Sequence, residues 1–377
     1  MKSLFEKVTL NNKVEVPTRL VIPPLTLFGS NADGTISKEE RAYLSKRGVG
    51  VGLYILGACA VSQEGLTFPC QPRALSEKDI PSLAERAKIV KSDGALAINQ
   101  IHHGGLLALK ELSGLPPVVP SLDIAKKELQ KKGAKDDVKE LNDNEIKKII
   151  NDFAYATELS IKSDYDGIEI HGANNFILQQ FYSAYTNRRT DSWGGSDEKR
   201  MSFPLQIVDA CIKVREKYKK PKFIIGYRLS PEEPYEGGIT MTETLKLVRA
   251  LVKKPIQYIH ISEKNYFQEV RNGEGKGEAR LKVIHKETQG KVALIGVGGL
   301  ITEKDFTNAL KTGYSEFIGA GKASMVNKDL GNKLKKGEKL DETLDSNHPE
   351  KYSIPTMLWN MCVSGGQDWL PPVKGKK

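Results

Sequence analysis

Eight times along this chain a short run of β-branched and aliphatic residues is followed by an amphipathic stretch of roughly ten to eighteen residues. Strands joined by helical crossovers lie parallel, so the alternation restricts the chain to a parallel sheet covered by helices. The runs are Arg19 to Leu25, Val51 to Val61, Ala95 to Ile101, Asp166 to His171, Lys222 to Ser230, Ile256 to Ser262, Val292 to Gly299 and Ser315 to Gly321. Several of the helical patterns between them open on Ser, Thr or Asp and close at glycine, as caps require. An open, doubly wound sheet would put GxGxxG after the first strand and an acidic ribose ligand beyond it, and neither can be placed. A (β/α)8 barrel fits eight units in 377 residues. The expectation is an α/β protein with one barrel domain over residues 1–377 and a core spanning about 19–335.

Three segments fall outside the repeat. Val8 to Pro17 reads as a hairpin turning at Asn11-Asn12, placed to close the bottom of the barrel. The connection from Gly104 to Asn142 is too long for an ordinary βα loop and suggests a lid. A C-terminal extension, 345–377, carries Trp359 and Trp369 and is expected on the outside or against a neighbouring subunit of a homo-oligomer. No apolar run reaches the length that spans a bilayer, and the N-terminus has charges where a signal peptide needs apolar residues, so a cytoplasmic protein is expected. Cys59, Cys70, Cys211 and Cys362 form no CxxC pair, which argues against zinc and iron-sulfur sites. The net charge of +10 resides in lysine runs mostly interleaved with acids or at helix ends, a pattern of solvated helix faces. Neither a nucleic-acid nor a membrane partner is expected.

Barrel chemistry collects at the C-terminal ends of the strands. There the chain places Pro23, Pro24, Leu25 and Thr26 after the first strand, Ala58 at the second, Gln100 at the third and Arg228 at the fifth. Gly298, Gly299, Gly321 and Lys322 follow strands seven and eight, where glycine lets the backbone close on a phosphate. His171 and Asn174, three residues apart at the end of an apolar strand, supply two neutral groups able to converge on one substrate oxygen.

The stretch DGIEIHGANNFILQQFYSAYTNRRTDSWGG, Asp166 to Gly195, resembles the active-site strand and loop of the old yellow enzymes, FMN-dependent NAD(P)H oxidoreductases. The resemblance runs from Val8 to about Asp329. It implies FMN as cofactor, with Thr26 near the flavin C4 carbonyl, Gln100 on the pyrimidine edge and Arg228 facing N1 and the C2 carbonyl. Lys322 stands where relatives more often have arginine, which keeps the charge but loses the bidentate fork. NADH or NADPH would be the reductant and an electrophilic small molecule, an activated alkene or a quinone, the acceptor. His171 and Asn174 would hold its carbonyl oxygen. Phe176 replaces the family's proton-donating tyrosine, so a proton for carbon would come from water or from Tyr182, Tyr185, Tyr235 or Tyr266. The signature residues Asn187, Arg189, Asp191, Gly194, Gly195 and Arg200 are read as pinning the loop, and His102 and His103 as orienting theirs. Two alternatives stay open: a tRNA dihydrouridine synthase-like FMN barrel, and a non-catalytic flavin-binding sensor.

Overall fold

The computed structural model describes residues 3–131 and 137–375. Eight parallel strands close into a barrel: β1 (Leu20–Ile22), β2 (Leu53–Ala60), β3 (Leu96–His102), β4 (Gly167–Gly172), β5 (Ile224–Leu229), β6 (Tyr258–Ile261), β7 (Ala293–Gly296) and β8 (Phe317–Gly319). Neighbours in sequence are neighbours in space, and β8 pairs with β1 to close the ring. Six of the eight sequence runs contain their strand whole, and β3 and β4 each extend one residue past theirs, to His102 and Gly172. The outer helices form because apolar residues recur on one face and their ends are capped. Asn142 with Glu145, Thr240 with Glu243, and Thr302 with Asp305 make reciprocal capping boxes.

Alternation along the strands divides the interior into layers. The lower part is apolar: Val21, Leu53, Ile55, Ile98, Ile224, Ile295 and Phe317 pack with Leu10 and Val16 of the N-terminal hairpin. That hairpin pairs Val8–Thr9 with Glu15–Val16. Asn11 Nδ2 donates to the Ile256 and Lys291 carbonyls at 2.7 and 2.9 Å, so the turn caps the bottom of the barrel by satisfying strand-end acceptors.

The upper layers are polar. Register aligns Gln100, Glu169, Gly226 and Tyr258 across β3 to β6. One step up it aligns His171, Arg228 and His260. Gly226 is required here, because a Cβ at that position would lie 2.1 Å from the Tyr258 ring. Barrels usually fill these layers with branched apolar residues, so buried polar ones mark the end that does chemistry.

Two expectations need correction. None of the described residues between Gly104 and Asn142 lines the cavity at the top of the barrel. The described residues are bound to the side instead, with 132–136 lying outside them: Arg189 Nη1 donates to the Pro120 and Leu141 carbonyls at 2.9 and 2.8 Å, and Trp193 Nε1 to Asp143 at 2.8 Å. A guanidinium with several carbonyl acceptors outcompetes any hold a polar segment has on an open mouth. The C-terminal extension is also not wholly external. Leu344, Tyr352, Leu358, Cys362, Leu370 and Val373 pack on Met325 and Val326, and Trp359 stacks on Tyr352. This anchorage turns Gly366, Gln367, Asp368 and Trp369 back into the cavity wall.

Candidate active site

The C-terminal ends of the strands surround an open cavity of about 950 Å³, at the upper end of the size range for cofactor and small-molecule sites. It brings together residues from β1 (Pro23, Pro24, Leu25, Thr26), β2 (Ala58), β3 (Gln100), β4 (His171, Asn174, Phe176) and β5 (Arg228). Gly298, Gly299, Gly321 and Lys322 line it after β7 and β8. All the cofactor and substrate candidates nominated from the sequence therefore border one space. Ala58 reaches it because the pairing of β2 with β3 shifts register between Leu56 and Cys59. Gly298 has φ +125°, and a Cβ there would lie 2.6 Å from the Asn265 amide nitrogen, so only glycine lets this loop fold back.

His171 and Asn174 are oriented by their neighbours. His171 Nδ1 accepts the Ala173 N–H at 3.3 Å, which leaves the proton on Nε2 and makes that nitrogen a donor. Burial, with His102, Arg228 and His260 adding repulsion, holds the imidazole well below its ordinary range, so it is neutral. Asn174 adopts φ +58°, its N–H donates to Ser230 Oγ at 3.0 Å, and its Oδ1 accepts from Ser262 Oγ at 2.8 Å. With the oxygen committed, the amide nitrogen is the group left to donate. Phe176 packs edge-on against His102 and His171, with centroids 4.3 and 4.9 Å away.

Arg228 is buried, and its Nε has no hydrogen-bond partner among the described residues. Burial lowers its proton affinity while Glu169 opposes that. A buried guanidinium N–H without a partner is costly unless a ligand supplies the acceptor.

His102 and His103 do hold loops. Thr67 Oγ1 and His102 Nε2 are 2.8 Å apart, and His103 Nδ1 accepts the Gly105 N–H at 3.1 Å. Burial holds them down to about 3 and about 4, so both are neutral. Asn187 Nδ2 bonds the Phe181 and Trp193 carbonyls and Arg200 Nε the Tyr182 carbonyl, which pins the loop after β4. The four tyrosines considered as proton donors are elsewhere. Tyr182 donates to the Glu243 carbonyl, Tyr266 pairs with Ser315, Tyr185 stacks on Tyr235, and none of the four lines the cavity.

The sequence reading missed several groups. Beneath the floor, Glu169 joins Gln100 and His260. In the wall, Arg280 Nε is 2.6 Å from Glu232 and its Nη1 3.4 Å from Glu263. Glu232 also accepts from the Arg271 and Asn272 amides, while Glu263 Oε2 is buried with no hydrogen-bond partner among the described residues. Burial therefore pushes the Glu263 carboxyl up to about 8, with Arg280 opposing. Glu169 and His260 were visible as period-two neighbours of His171 and Ser262 on strands otherwise apolar.

Comparison with known proteins gives this cavity a lineage. The model of the NADH:flavin oxidoreductase / NADH oxidase family matches residues 3–341. A probable NADH-dependent flavin oxidoreductase of Bacillus subtilis is 37% identical over 372 residues, 98% of each chain. The chain belongs to the NADH:flavin oxidoreductase / NADH oxidase family. As a member it is an FMN-dependent oxidoreductase with NADH or NADPH as reductant. The NADH:fumarate oxidoreductase of Klebsiella pneumoniae is 33% identical over 364 residues, and there the match covers 96% of this chain and 39% of the relative. The old yellow enzyme homologue of Zymomonas mobilis superposes with a TM-score of 0.77 at 22% identity, covering 94% of this chain and 99% of that one, which bears on the fold. The residues present fit FMN: the orphan Arg228 N–H and the glycine-lined end of the cavity answer its two polar extremities. The family acts on small molecules, and no helix among the described residues is long and apolar enough to cross a membrane.

Proposed function

We propose that this enzyme reduces electrophilic small molecules, activated alkenes or quinones, and that His171 and Asn174 hold the acceptor's oxygen. The observation that carries the reading is that two residues lining one cavity each have a donor left over, their other polar atoms being already committed. His171 presents Nε2–H because Nδ1 accepts from Ala173, and Asn174 presents its amide nitrogen because Oδ1 accepts from Ser262. Neutral, pre-oriented donors stabilise an oxygen that gains negative charge in the transition state more than they stabilise the ground-state carbonyl.

FMN, when bound, accepts a hydride from reduced nicotinamide and returns one to the acceptor. In our reading Thr26, Gln100 and Arg228 face its ring system, Pro23, Pro24, Leu25 and Ala58 pack against it, and Gly298, Gly299, Gly321 and Lys322 hold its phosphate. The barrel with its extension acts as one FMN-binding domain. Phe176 has no proton to give, so an acceptor needing carbon protonation draws it from water or from Glu263, the buried neutral carboxyl in the wall. Quinones, protonated on oxygen, do not depend on that step.

Anaerobic mixing tests the reading. NADH or NADPH should bleach the flavin absorbance, and addition of a quinone or cyclohexenone should restore it. Absence of bleaching with both nucleotides overturns the proposal, and bleaching without reoxidation by either acceptor overturns its acceptor half.

A further inference from the structure

We propose that Glu169, which lies beneath the cavity and does not border it, is a positioning residue that sets the hydrogen-bond face and the electrostatic potential offered to the flavin by Gln100 and Arg228. The proposal rests on the reading that those two residues face the ring. Glu169 points into the barrel from the middle of β4 and its side chain is fully buried. Its Oε1 accepts from Gln100 Nε2 at 2.7 Å and its Oε2 is 2.8 Å from His260 Nδ1.

A carboxylate can only accept, so it dictates which end of the Gln100 amide turns down. The nitrogen is committed to Glu169 and the carbonyl oxygen is left for the cavity. Beside it in the next layer stands Arg228, which can only donate. An acceptor next to a donor complements a ring edge in which an N–H adjoins a carbonyl, as in the pyrimidine portion of a flavin. If Gln100 were flipped, it would set two donors side by side and repel that N–H.

Glu169 must be ionised for this. Burial pushes its carboxyl up, but His260 by charge and hydrogen bond, then Arg228 and Gln100, outweigh burial and hold it below the ordinary carboxylate range. The same buried anion opposes the positive field of Arg228. Between two buried groups such opposition is weakly screened, so Glu169 restrains the stabilisation Arg228 gives to a reduced, negatively charged ring.

Two substitutions separate the roles. Glu169→Gln removes the charge and keeps the shape and an acceptor, while Glu169→Leu also removes the acceptor. FMN affinity of the oxidised protein, the visible flavin spectrum and the two-electron midpoint potential are measured on each holoenzyme, with Gln100→Ala as a control. Glu169→Gln should bind reduced FMN about tenfold better relative to oxidised FMN, a potential about 30 mV higher for a two-electron couple. Glu169→Leu should weaken oxidised FMN at least tenfold and shift the visible bands as Gln100→Ala does. An unchanged or lowered potential in Glu169→Gln overturns the proposal even if the leucine variant fails to fold. Should Gln100→Ala alter affinity and spectrum while both Glu169 variants match wild type, the proposal for Glu169 falls and the assignment of Gln100 to the flavin stands. Should Gln100→Ala also match wild type, the assignment of Gln100 to the flavin falls with it.

Discussion

The floor of the cavity and its rim are built on different principles. Floor residues Gln100, His171 and Arg228 stand on adjacent parallel strands, are at most 9% exposed, and owe their spacing to ladder register. The rim is made of loops and of the returning segment Gly366 to Trp369, where Trp369 is 37% exposed and an exposed ion pair joins Lys264 to Asp368. A displaced floor residue would require re-registering a strand, whereas the rim can shift by rotating a few loop dihedrals. In the proposed reading, chemistry belongs to the floor and choice of acceptor to the rim.

The sharpest attempt to break this contrast is His171→Ala. Loss of one pre-oriented donor should slow flavin reoxidation by cyclohexenone about 10²- to 10³-fold in stopped-flow measurements, with FMN still bound. A loss below fivefold would remove His171 from the acceptor site. Next comes Phe176→Tyr, which places a phenol against His171 and His102. Alkene turnover should rise at least about tenfold where carbon protonation limits it, while quinone turnover stays level. Equal gains for both acceptors would show that the substitution acts on binding.

The wall between floor and rim gives a pH test. Glu263 is held at about 8 against an ordinary 4.5, so burial of its neutral form contributes stability fully present below about 4.5 and lost as pH rises through 8. Glu263→Gln should therefore unfold at a higher temperature relative to wild type at pH 9 than at pH 6. A constant difference between the two pH values would mean that Glu263 is ionised throughout. At the rim, Trp369→Ala should change KM for bulky acceptors a few-fold and leave the midpoint potential unmoved. A shifted potential would place the rim in the flavin's own environment. Smallest of all, Lys264→Ala should leave both kinetics and the unfolding midpoint unchanged, because exposed ion pairs contribute little.

The eight strands were readable because composition, period and caps are local properties, and β1 to β8 each lie within the run that announced them or pass its end by one residue. The candidate site was readable for a related reason: once the strands are known, a parallel barrel must bring their C-terminal ends together. Glu169 and His260 escaped notice because each lies inside an apolar run and their partnership joins β4 to β6, 91 residues apart. The proton-donor tyrosines failed for the opposite reason. Proximity to the motif in sequence suggested Tyr182, but helix Ile177–Tyr182 turns its hydroxyl toward Glu243.

The order of strands and helices, the barrel they close into, and the residue types at its mouth all follow from patterns within some twenty residues of one another. The path of the described residues in the 104–142 connection, the return of Trp369 to the cavity, and the carboxylate under Gln100 do not. Each depends on which distant surface offers Arg189, Met325 or His260 as a partner. Such long-range contacts carry no local period, because their spacing in sequence is set by whatever chain lies between, and they exist only once the barrel has closed.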